Sequence, residues 1–191
     1  MTRFRWTPAA MAARGGNYLR ALQRDFGKTA EGSEVVPPTL LVQDSMELDL
    51  GGRVLTLRAW PTAHTDNDLT VYDAGTGTLW LSDLLFVERI PVVDGSIRGW
   101  ISLHPQLAAL KPRRVVPGHG RVDGNFEGAL AAQERYLKVL RDGVRAAIKS
   151  GRTLPQAVAE VGASEKGRWL LFEGFNPRNV TAAYAELEWE D

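Results

Sequence analysis

The chain has 191 residues, 23 basic against 23 acidic side chains, 44% hydrophobic content and no cysteine. The balanced charge gives no bulk attraction to nucleic acid or to an anionic membrane. The missing cysteine excludes disulfides, thiolate zinc sites and a cysteine nucleophile, and no apolar run approaches the roughly 20 residues of a membrane span.

Residues 1–6 carry basic side chains without the apolar stretch of a signal peptide. As it stands the chain therefore reads as soluble and cytoplasmic, or as periplasmic if a signal precedes it. Residues 7–26 have helical spacing through Met11, Tyr18, Leu19 and Leu22, with a break expected at Gly15-Gly16. A polar loop follows and closes at Pro37-Pro38. The pattern then turns to strand. A short strand is expected over 40–42 and an alternating one over 46–50. Gly51-Gly52 makes a hairpin turn, and strands over 54–60, 69–72 and 78–81 follow. Gly75-Thr-Gly77 lacks the third glycine and the following helix of a dinucleotide loop, so it reads as a turn. A short helix is expected over 98–110 and a buried strand over 114–116. The longest helix spans 126–150, with Leu137, Leu140, Val144 and Ile148 on one face. Two more helices fit 153–161 and 177–187, the last with Asn176 as N-cap and Pro177 at its first position. Strands followed by helices indicate an α+β layer architecture.

Three segments stand out. Pro61-Thr-Ala-His64-Thr-Asp-Asn-Asp68, Ser82-Asp83-Leu-Leu-Phe86 and Val116-Pro-Gly-His119-Gly120 each follow an apolar run. Imidazole and carboxylate are zinc ligands, and the ends of strands are where a rigid sheet aims such side chains from short loops. Singly each signal is weak, because Asp after a strand commonly forms a turn and Pro-Gly-His-Gly is a plausible plain turn. Two of the chain's three histidines fall in these segments.

In order and context, the three segments resemble the last three metal motifs of the metallo-β-lactamase superfamily of zinc hydrolases. Thr62 to Asp68, Leu84-Leu-Phe86 and Arg89-Ile-Pro91 look closest to the branch called quinoprotein relay system zinc metallohydrolases. The resemblance covers about residues 36 to 187. It implies part of an αββα sandwich, with a mostly antiparallel sheet and outer helices. It implies the C-terminal part of the domain over 36–191, with the C-terminal helices in 126–187, and the helical spacing of the N-terminus makes 1–35 a separate helical segment. The metal ligands carried over are His64, Asp83 and His119, with two zinc ions per intact site and Asp83 bridging them. The implied substrate is a small molecule: an ester, thioester, lactam or phosphodiester.

Two departures matter. Ser82 stands where most members carry glycine. The first family motif, H-x-H-x-D-H, is absent, and no histidine precedes His64. On this reading Met1 is an internal or mis-called start, the polypeptide alone is inactive, and an uncovered core face invites self-association. The alternative is a non-catalytic fragment or binding module that has lost the first motif. Around the ligands, Asp66 and Asp68 read either as carboxylates orienting His64 or, preferably, as loop polarity. Arg89 and Trp100 read as substrate contacts, Trp100 equally as core. His104 reads as a surface residue or helix start. Arg135, Lys138, Arg141, Arg145, Lys149 and Arg152 form the solvated face of the long helix rather than a nucleic-acid stripe.

Overall fold

The computed structural model describes residues 8–122 and 124–190, with side chains described from residue 15 onward. Residues 1–7, which include the expected start of the first helix, and the side chain of Met11 lie outside the described set. The chain divides into two compact units, 1–43 and 44–191. In the first, α1 (Pro8–Phe26) runs on into a 3-10 turn (Gly27–Ala30). The break expected at Gly15-Gly16 does not occur. A Cβ on Gly15 would lie 2.4 Å from the Val35 side chain, so this glycine serves close packing of the segment after α1 rather than a bend.

Among the described residues, the second unit is a five-stranded sheet with four α-helices and a 3-10 turn (Ala163–Glu165). Its strands are β1 (Ser45–Asp49), β2 (Val54–Ala59), β3 (Leu69–Asp73), β4 (Thr78–Phe86) and β5 (Arg114–His119), in spatial order β1-β2-β3-β4-β5. The first three pairings are antiparallel and β4–β5 is parallel. Gly51 and Gly52, both at positive φ, close the β1–β2 turn, as a two-residue hairpin demands. The strand expected over 40–42 is absent: β2 finds its partner only from Asp44, whose carbonyl accepts from the Ala59 N–H, and Leu40 and Leu41 are exposed. β4 instead runs on to Phe86, well past its expected end at Leu81.

The helices are α2 (Ile97–Ala108), α3 (Phe126–Lys149), α4 (Leu154–Glu160) and α5 (Phe172–Leu187). The core joins Leu79, Leu81 and Val115 of the sheet to Trp100, Leu107, Leu137, Leu140 and Val180 of the helices. The cap expected at Asn176 is overturned. α5 begins a turn earlier, at Phe172, and Asn176 is buried inside it. Its amide donates to the Val161 carbonyl at 2.9 Å, and its carbonyl accepts from the Tyr136 hydroxyl at 3.1 Å. These tertiary partners outweigh the local cap signal. No described helix is long and apolar enough to cross a membrane.

Several cations of α3 are paired within the chain. Arg145 pairs with Glu190, Lys138 with Glu134, and Arg135 with the buried Glu165. Burial acts to raise the Glu165 pKa, but hydrogen bonds from Arg135 and Trp169 and the charges of Arg135 and Arg168 outweigh it and hold it below the ordinary glutamate value. A depressed folded-state pKa gives stability that is present above about pH 4.3, the unfolded value, and is lost as pH falls through the folded value. Glu165→Gln is therefore expected to be less stable than the wild type at pH 7, with the gap narrowing by pH 3, as thermal melts across that range would show.

Candidate functional site

His64 sits in the loop between β2 and β3. Its carbonyl accepts from the Asp94 N–H at 3.1 Å, and the neighbouring Ala63 carbonyl accepts from the Ser96 N–H at 2.9 Å. These bonds dock the loop against the start of α2, where Ser96 caps the helix by accepting from the Gly99 N–H. A Cβ on Gly99 would lie 2.0 Å from the Thr62 carbonyl oxygen, so only glycine lets α2 approach this closely. The buried Asp68 carboxylate accepts from the Thr65 N–H at 3.1 Å and the Thr65 hydroxyl at 2.7 Å. It lies 3.7 Å from His64 Nδ1. Its hydrogen bonds thus hold the loop, while its charge faces the imidazole. Asp66 is half-buried in the same loop.

Asp83 lies where β4 breaks register with β5, the shifts falling between Trp80 and Ser82 and between Ser82 and Phe86. Ser82 makes the break at φ 51°, in the left-handed region that costs a non-glycine residue about 1–2 kcal/mol. Ser82 thus occupies a glycine-like conformation. The break turns Asp83 toward β5, where His119 Nε2 lies 3.4 Å from Asp83 Oδ1. Both side chains are open to solvent, at 41% and 45% exposure, whereas the His64 side chain is 10% exposed.

Phe86 joins the two histidines. Its ring stacks on His119 with centroids 4.6 Å apart, and lies 5.7 Å from the His64 ring. Trp100 meets His64 edge-on at 5.4 Å and has no exposed surface, so it supports the imidazole from within the core. Arg89 is exposed, and its backbone bridges to Leu170. His104 is not a surface residue. It is buried inside α2, with Nδ1 2.8 Å from the Trp100 carbonyl, because the helix turns it inward beside Trp100 and Leu107.

Tested as a zinc site, these residues fall short. Asp83 and His119 offer two neighbouring donors, and His64 Nδ1 faces Asp68. Among the described residues no three metal-ligating side chains are grouped together, against the four ligands zinc usually takes.

No family model matches the chain, and no curated protein matches it. Solved structures do. A stereoselective inverting sec-alkylsulfatase from Pseudomonas sp. is 17% identical and superposes with a TM-score of 0.62 over 83% of this chain and 28% of its own. A metallo-β-lactamase family protein from Thermus thermophilus is also 17% identical, with a TM-score of 0.62 over 90% of this chain and 58% of its own. The chain therefore spans about a quarter and just over half of these two relatives. It has the metallo-β-lactamase fold, present here as a portion: one five-stranded, mostly antiparallel sheet with its helices.

Proposed function

We propose that His64, Asp83 and His119 are the donors this sequence contributes to the metal centre of a metallo-β-lactamase-type hydrolase. The other donors come from outside these 191 residues. The carrying observation is the Asp83–His119 contact of 3.4 Å between the register break of β4 and the end of its parallel neighbour β5. Two side chains far apart in sequence meet there in the open, while His64, more buried, has its ring 5.7 Å from that of Phe86. The substrate class is that of the fold family: an ester, thioester, lactam or phosphodiester. The placement in the quinoprotein relay branch is proposed on Thr62 to Asp68, Leu84 to Phe86 and Arg89 to Pro91 alone.

An incomplete donor set binds weakly. Purified 1–191, dialysed against metal-free buffer, is expected to retain much less than one zinc per chain by elemental analysis. Added zinc is expected to perturb the His119 and His64 imidazole signals in NMR spectra, and His119→Ala to weaken the response at His64. Stoichiometric retention would overturn the partial set, since a complete site would then exist. A spectrum in which zinc moves neither imidazole would overturn the ligand assignment. It would favour the second reading, a fold portion that holds no metal, which the lack of a three-ligand cluster among the described residues supports.

A further inference from the structure

We propose that Gln133, braced by His104, is a positioning residue that fixes the end of β4 so that Asp83 and Phe86 both face His119. This role rests on the reading of Asp83 and His119 as site residues, and it concerns how the fold holds them there.

Every buried backbone N–H and C=O needs a partner. β3 pairs with β4 only from Thr78 to Trp80. Beyond that point β4 continues to Phe86 with no strand on its β3 side, and its register with β5 slips twice. The backbone groups of Leu84 and Phe86 are buried there and need partners. The Gln133 side chain supplies them from α3, 49 residues away from Leu84. Its Oε1 accepts from the Phe86 N–H at 2.9 Å, and its Nε2 donates to the Leu84 carbonyl at 2.8 Å. One carboxamide thus makes the two bonds that a neighbouring strand would make. Because the Phe86 N–H can only donate, the orientation of the amide is fixed.

The second Nε2 hydrogen points at His104 Nε2, 3.2 Å away. That nitrogen must accept, so the Nδ1–H donates to the Trp100 carbonyl, which is the neutral imidazole. Burial pushes the His104 pKa down and favours that neutral form. Gln133 is fully buried and His104 nearly so, and no buried side-chain polar atom among the described residues lacks a partner. A fully satisfied buried network holds one geometry in a way an apolar contact does not. What it holds is the backbone one residue after Asp83 and the residue whose ring stacks on His119. The same amide therefore sets both contacts of His119.

The test is NMR of metal-free 1–191. Stacking on Phe86 displaces the His119 ring protons upfield in the wild type. Gln133→Leu keeps the volume and removes the amide. It is expected to abolish most of that displacement, whereas Leu140→Ala, a cavity-forming change in the buried face of the same helix, is expected to leave it in place. Wild-type His119 positions in a folded Gln133→Leu protein would overturn the proposal and leave Gln133 a residue of stability only. Should Gln133→Leu not fold, His104→Leu is the second variant. It leaves the amide with one unpaired hydrogen and is expected to reduce the displacement partly, and an unchanged spectrum there would likewise overturn the proposal. The readout needs no metal, so its outcome is independent of the zinc titration.

Discussion

Gly118→Ala is expected to destabilise the 44–191 unit by about 3 kcal/mol, the upper end of the usual cost of overpacking. A Cβ at this position would lie 2.1 Å from Asp83 Oδ1 and 2.5 and 2.6 Å from the carbonyl carbon and oxygen of Ser82. Two of these atoms are backbone, on the strand to which β5 is paired, so the clash cannot be relieved by a rotamer change. Either β4 and β5 separate or Asp83 leaves His119. The expected fall in Tm is roughly 6–12 °C, at about 2–4 °C per kcal/mol for a unit of this size. Gly174→Ala is the control. It lies in α5 with nothing within 4 Å of the added carbon, and alanine there is expected to gain about 0.5–1 kcal/mol. Denaturant titration of both variants checks the pair. A loss of less than about 0.5 kcal/mol for Gly118→Ala, far below the overpacking range, would mean that β4 and β5 do not approach as closely as the structure places them. The Asp83–His119 contact would fall with that approach.

Much of the sheet is legible in the sequence because its signals are local. Alternation in 46–50 and 54–60, with two glycines between, leaves few alternatives to a hairpin, and β1 and β2 pair as that pattern implies. The elements that escape depend on partners distant in sequence. Residues 40–42 have strand character, but they form no strand and Leu40 and Leu41 stay exposed. Asn176-Pro177 is a sound helix start until Tyr136 and Val161 claim the asparagine. The site divides in the same way. His64, Asp83 and His119 stand out because each follows an apolar run and their order resembles that of a family's motifs, yet nothing in the spacing foretells that the Phe86 ring contacts both imidazoles. Gln133 and His104 do leave a signal. Along the apolar stripe of α3, the position before Leu137 and Leu140 is Gln133. In α2 the face of Ile97, Trp100 and Leu107 includes His104. A polar residue on the apolar face of a helix is either a misfit or half of a buried pair, and two such residues on neighbouring helices point to the pair.

Trp100→Ala is expected to cost about 3–5 kcal/mol, the range for truncating a buried large aromatic residue. Trp100 has no exposed surface and packs edge-on against both His64, at 5.4 Å, and Phe86, at 6.0 Å. The variant should therefore loosen both imidazole supports as well as the core. Trp100→Phe separates the two contributions. It keeps most of the apolar volume and loses the indole N–H that donates to the Leu84 carbonyl at 3.2 Å, a bond worth about 1 kcal/mol. That carbonyl also accepts from Gln133, so Trp100 and Gln133 share one oxygen. Removing either donor leaves the oxygen one partner, and removing both strands it in the core. The double variant Trp100→Phe with Gln133→Leu is accordingly expected to cost more than the sum of its parts, by about 0.5–3 kcal/mol, in a double-mutant cycle measured by denaturant titration. Additivity to within about 0.5 kcal/mol would mean that the two side chains stabilise the unit independently. The end of β4 would then be held by packing, and the shared hydrogen bonds would not be what fixes Asp83 and Phe86 against His119.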